Sequence, residues 1–95
     1  MLRMGIHYYE QGEYPRAEEY LLTALDLGLP TTEDQIRAYK YLAFIACATE
    51  REDACRAAFK TALQLEPKFA LSRSEAGHPM WGPVFKSVRA ELGLR

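Results

Sequence analysis

The sequence predicts an all-α fold, a solenoid of two helix hairpins closed by a C-terminal capping helix. Three observations predict it. Good helix formers (Ala, Leu, Glu, Arg, Lys, Gln) fill most of the chain up to Pro67. No stretch alternates apolar and polar residues for long enough to make a strand. The pattern of the first hairpin also returns in the second at a shift of 38 residues, with Gly5 falling on Ala43. The breaks between elements fall at Gly12, at Gly28 to Pro30, at Glu66-Pro67 and between Gly77 and Pro83.

The first helix spans about Leu2 to Gln11, with Met4, Tyr8 and Gln11 on one stripe and Gly5 beside it. Gly12 suits a left-handed turn position. The second helix spans Tyr14 to Leu27, and Pro15 is tolerated in its first turn. Its apolar face is Ala17, Tyr20, Leu21, Ala24, Leu25 and Leu27. Gly28-Leu29-Pro30 stops it. Thr31 or Thr32 caps a third helix that runs to about Thr49. Thr32 with Gln35 reads as a capping box, and Glu33 and Asp34 suit the positive end of the helix dipole.

A turn at Glu50 to Glu52 leads to a fourth helix, about Asp53 to Leu65, with an apolar face of Ala54, Cys55, Ala58, Phe59, Ala62, Leu63 and Leu65. Lys68 to Arg73 has no clear pattern. Ser72 and Glu75 can cap a single turn before Gly77. His78 to Pro83 reads as loop, and Pro83 as the first residue of the last helix. Trp81, Phe85, Val88 and Leu92 then lie at helical spacing, a stripe suited to packing on the second hairpin.

Ninety-five residues with 48% hydrophobic and 26% charged content suffice for one small globular domain. The expected division is repeat 1 at 1–29, repeat 2 at 32–67 and the loop and capping helix at 68–95. A net charge of −1 argues against a nucleic-acid module held by phosphate contacts. No apolar run approaches the roughly 18 residues of a membrane helix, so the chain is not expected to span one. Met1 to Gly5 lacks the apolar core and cleavage site of a signal peptide.

Cys47 and Cys55 are eight residues apart and fit no zinc spacing, so no metal is expected. Both sit on helices that fold back on each other around Glu50 to Asp53. A disulfide is geometrically open to them and would argue for an oxidising compartment. The other reading is two small buried thiols in tight helix contacts.

At the 38-residue shift, Ala17 falls on Cys55, Leu21 on Phe59, Ala24 on Ala62 and Leu25 on Leu63. Small residues recur at three places in each unit, where they let backbones approach closely. Met4-Gly5, Tyr8-Tyr9, Gln11-Gly12, Tyr14, Ala17, Leu21 and Ala24-Leu25, then Tyr39, Leu42-Ala43, Cys55, Phe59 and Thr61 to Pro67, resemble the tetratricopeptide repeat (TPR) family. The resemblance covers about Met1 to Pro67. It implies a TPR-like helix-hairpin solenoid of two repeats plus a C-terminal capping helix. The family period is about 34 residues, so roughly four are inserted, naturally between Gly28 and Asp34. Glu50 and Glu52 depart from the pattern, standing where the first unit has Gly12 and Tyr14. Some bacterial cell-envelope proteins that assemble pili and secretion machines are similar in construction.

The resemblance also implies that the first helix of each pair lines a concave, partner-binding surface. On the first helix that face is Ile6, Tyr9 and Glu10, and on the third it is Arg37, Lys40, Tyr41 and Phe44. Aromatic anchors with a basic rim would hold a protein or peptide segment bearing an acidic group. The opposing reading packs Tyr9, Tyr41 and Phe44 between hairpins. The chain contains no Asn, which the family's clamp for C-terminal carboxylates requires. His7 and His78 have no partner at catalytic spacing, and no phosphate loop or nucleophile elbow is present. The expected function is therefore a non-catalytic adaptor or assembly module without a cofactor. The alternatives are a homodimer formed through an open repeat edge, or a regulatory domain of a larger protein. The expected compartment is the periplasm or cell envelope if Cys47 and Cys55 pair, and the cytoplasm otherwise.

Overall fold

A computed structural model describes residues 1–94. Among them there are six helices and no strand: α1 Leu2–Glu10, α2 Tyr14–Leu27, α3 Thr32–Ala48, α4 Glu52–Leu65, α5 Arg73–Ala76 and α6 Trp81–Glu91. α1 pairs with α2, and α3 with α4.

The two hairpins repeat each other down to their hydrogen bonds. Past α1, the amide of Gly12 donates to the Tyr9 carbonyl (3.0 Å) and that of Glu13 to Tyr8 (2.9 Å). Past α3, Glu50 donates to Cys47 (3.2 Å) and Arg51 to Ala46 (2.8 Å). Each pair is a Schellman motif, which satisfies the last carbonyls of its helix. All four donors and acceptors correspond at the 38-residue shift. So do both ends of α2 and α4. The small positions are also equivalent in burial: Gly5, Ala17 and Ala24 in one hairpin, and Ala43, Cys55 and Ala62 in the other. A methyl group on Gly5 would sit 2.7 Å from Leu21 Cγ, which shows how closely α1 lies on α2.

α3 is buried nearly all round its C-terminal half. Leu42 and Ile45 join the core with Ala17 and Leu21, while Ala43, Phe44 and Cys47 join one with Phe59, Leu63 and Trp81. A helix that is apolar on every side must have neighbours on every side. Beyond its own hairpin partner α4, α3 packs on α2 more than on α1, and α6 packs on α4 more than on α3. The last helix thus takes against the second hairpin the place that α3 takes against the first.

One capping motif, two helix starts and two apolar-face residues differ from the sequence expectation: Leu27 and Leu65, the last residues of α2 and α4, are 70% and 40% exposed where their helices end at the surface. The N-cap of α3 is Thr31, whose hydroxyl accepts from the Asp34 amide at 3.1 Å. Gln35 does not close a capping box with Thr32; its side chain donates to the Leu29 carbonyl at 3.0 Å and ties the linker down. α6 begins at Trp81 rather than Pro83. Pro83 still falls in the first turn, where its missing N–H has no partner to lose. α4 begins at Glu52, one residue early. The expected Ser72–Glu75 capping box is present on α5.

Cys47 and Cys55 are joined as a disulfide across the α3–α4 turn, with Cα atoms 5.3 Å apart. No helix among the described residues is long and apolar enough to cross a membrane.

Candidate functional site

Helical spacing places Ile6 and Glu10 on one side of α1, and the packing of α3 turns Arg37 toward them. The structure brings these three together around an open cleft of about 650 Å³, completed by residues such as Leu2, Leu29 and Asp34. A second cleft of about 560 Å³ lies between α3 and the segment after α4. Ile36 and Phe69 supply its apolar part, and Arg37, Lys40 and Lys68 its cations, with Glu33 and Glu66 on the rim. Arg37 is common to both. Its guanidinium is 3.9 Å from Asp34 Oδ1, and both side chains are exposed. A loose exposed pair of this kind contributes little and leaves the donors of Arg37 available.

Tyr9, Tyr41 and Phe44 form one cluster, with ring centroids 5.1 Å (Tyr9–Tyr41), 5.8 Å (Tyr41–Phe44) and 6.1 Å (Tyr9–Phe44) apart. Tyr9 and Tyr41 are half-buried, but Phe44 is only 2% exposed. Trp81 covers it, stacked at 4.1 Å and 18°. His78 stacks on Trp81 in turn at 3.6 Å. Trp81 also donates its indole N–H to the Glu75 carbonyl at 3.0 Å, which satisfies the one polar atom of a buried ring. Phe44 therefore offers no free surface to a partner.

Lys40 is similarly engaged. Its ammonium donates to Glu75 Oε2 at 2.9 Å and lies 4.8 Å from the Tyr41 ring centre. The other carboxylate oxygen of Glu75 accepts from the Ser72 amide at 2.9 Å, so one side chain both caps α5 and fastens it to α3. Burial acts to raise the Glu75 pKa. The hydrogen bonds from Lys40 and Ser72 outweigh it and hold the carboxyl below its ordinary range. Burial, reinforced by Tyr14, Tyr41 and Glu75, pushes the Tyr9 phenol up to about 12.

The predicted surface is thus divided. Ile6, Glu10 and Arg37 border open clefts, Tyr9 and Tyr41 join the two hairpins, and the C-terminal segment occupies Phe44 and part of Lys40. Glu75, Lys68, Phe69 and His78 were not expected at the site. The capping signal placed Glu75 on its turn, but nothing local connects it to a lysine 35 residues earlier. His78 is a hydrogen-bond acceptor for the Met80 amide through Nδ1 at 3.1 Å, and His7 lies exposed on α1 beside the first cleft.

Chemically, the clefts offer a planar cation and apolar floor on one strip of surface. That combination suits a carboxylate flanked by apolar side chains. The chain has no match among protein-family models, curated proteins or solved structures.

Proposed function

We propose that this chain is a non-catalytic, TPR-like interaction module that holds an extended segment of a partner protein across α3 at Arg37. One observation carries the reading: Arg37 is the shared wall of two open clefts, each with apolar lining. A segment laid from one to the other would set apolar side chains on either side and a carboxylate against the guanidinium. The 38-residue correspondence of the two hairpins supports the repeat assignment, and the Cys47–Cys55 bond fits an oxidising compartment such as the cell envelope.

The test is a displayed library of random 12-residue peptides, selected on the intact chain and then on Arg37→Glu. The expected winners carry Asp or Glu between apolar residues. They bind the variant at least tenfold more weakly, as expected from a charge-assisted hydrogen bond worth about 1.5–3 kcal/mol. Circular dichroism of the variant should be unchanged. Peptides that bind both proteins equally, or no enrichment at all, would refute this surface.

A further inference from the structure

The second hairpin has a groove between α3 and α4, lined by Tyr39, Ala46, Ala54, Ala57, Ala58 and Thr61, and α2 closes one side of it with Glu18 and Leu22. The first hairpin has the same groove. Met1, Tyr8, Arg16, Glu19, Tyr20 and Thr23 line a cleft of about 410 Å³ there. Each of these six residues lies 38 before its counterpart. No described element closes this one. Met1 and Met4 beside it are 51% and 40% exposed, whereas Leu42, the counterpart of Met4, is 8% exposed. The groove corresponds to the inter-hairpin contact surface of the second hairpin and stands open among the described residues.

The charges around it say what the neighbour must carry. Where α2 meets the second hairpin, Glu18 accepts from Arg51 at 2.8 Å. Where α4 meets α6, its Arg56, the counterpart of Glu18, donates to Glu91 at 2.9 Å. Each junction therefore has one keyed ion pair. The counterpart of Arg51 in the first hairpin is Glu13, an acid that has only Arg16, 3.8 Å away and exposed, beside it. The sign is reversed at that position, while the groove wall itself carries one acid, Glu19, and one cation, Arg16, whose guanidinium lies 5.0 Å from the Tyr8 ring centre. A helix seated here as α2 is seated on the second hairpin would meet Glu13 with the residue that corresponds to Glu18, and the groove with the one that corresponds to Leu22.

We propose that this open groove docks an amphipathic helix of a partner protein that carries Lys or Arg four residues before a large apolar side chain. No helix among the described residues supplies it. Outside α3, whose Tyr41 and Phe44 are packed in the ring cluster, the spacing occurs at Arg16–Tyr20, and those residues are the wall of the groove. The surface is separate from the clefts at Arg37.

The experiment uses the whole chain and two stapled, labelled helical peptides copied from 14–27. One carries Glu18→Lys and the other keeps the glutamate. By fluorescence anisotropy, the Glu18→Lys peptide should bind at least tenfold more tightly. Glu13→Arg in the chain should reverse that preference while leaving peptide binding at Arg37 unaltered. The proposal is overturned if neither peptide binds, if both bind alike, or if Glu13→Arg leaves the preference unchanged. It is also overturned if light scattering shows the chain dimerising and Glu13→Arg abolishes the dimer, since a second copy then fills the groove.

Discussion

Glu50 stands in the second hairpin where Gly12 stands in the first, and both have left-handed backbones, with φ of 60° and 77°. Each is the residue at which a Schellman turn reverses the chain. Glycine adopts that conformation freely, whereas a side chain costs about 1 kcal/mol there. Glu50→Gly should therefore raise stability by about 1 kcal/mol, read as a higher urea midpoint at unchanged slope. Gly12→Ala should lower it by a similar amount. A Glu50→Gly protein no more stable than the parent would contradict this account of the turn.

The same turn is closed by the Cys47–Cys55 disulfide, which spans eight residues in sequence. A loop that short removes modest entropy from the unfolded chain, so the bond should contribute about 2.5 kcal/mol. Replacing both cysteines by Ala should cost about that much, and reductant should lower the melting temperature of the parent to near that of the variant. If reductant has no effect on the melting temperature, the bond does not stabilise the fold.

Gly82 lies against the Ala76 carbonyl, and a methyl group added there would collide with that backbone oxygen. Backbone gives way less readily than a side-chain tip. Gly82→Ala should cost about 2 kcal/mol, in the range of overpacked cores. It should also shift the fluorescence of Trp81 to the red, because the helix that seats the indole on Phe44 begins at that point. Parent-like emission and stability would show that α5 and α6 are not in contact there.

Two titrations mark the junction of α1, α3 and α5. The Tyr9 phenol is pushed up to about 12 by burial and by neighbouring Tyr14, Tyr41 and Glu75, against 10.0 ordinarily. A raised acid favours the protonated native state, so this stability is complete below 10.0 and is lost as pH rises toward about 12. Tyr9→Phe should flatten that alkaline decline. Glu75 runs the other way. Its pKa is lowered, so its contribution is complete above the ordinary 4.5 and disappears as pH falls through the lower native value. Glu75→Gln should make the urea midpoint less sensitive to pH between about 6 and about 3. Equal acid sensitivity in the two proteins would mean that the Lys40–Glu75 contact does not hold in solution.

The sequence by itself determined most of the local structure: the helical character of the elements, the breaks at Gly12, at Gly28 to Pro30 and at Glu66-Pro67, and the 38-residue register that puts Gly5, Ala17 and Ala24 at one backbone contact and Ala43, Cys55 and Ala62 at another. These follow from propensity and periodicity, which act over a few residues. Part of the candidate surface was legible for the same reason, since spacing places Ile6 and Glu10 on one face of α1, whereas the approach of Arg37 to them is a matter of packing. Only the tertiary structure decided the rest. Whether Phe44 is an anchor or a core residue depends on Trp81, and whether Lys40 is free depends on Glu75. Both are brought in by a segment that folds back from more than 30 residues away. Helical spacing sets which side of a helix a residue occupies, but what lies opposite is set by the packing of other elements, and that has no local signature.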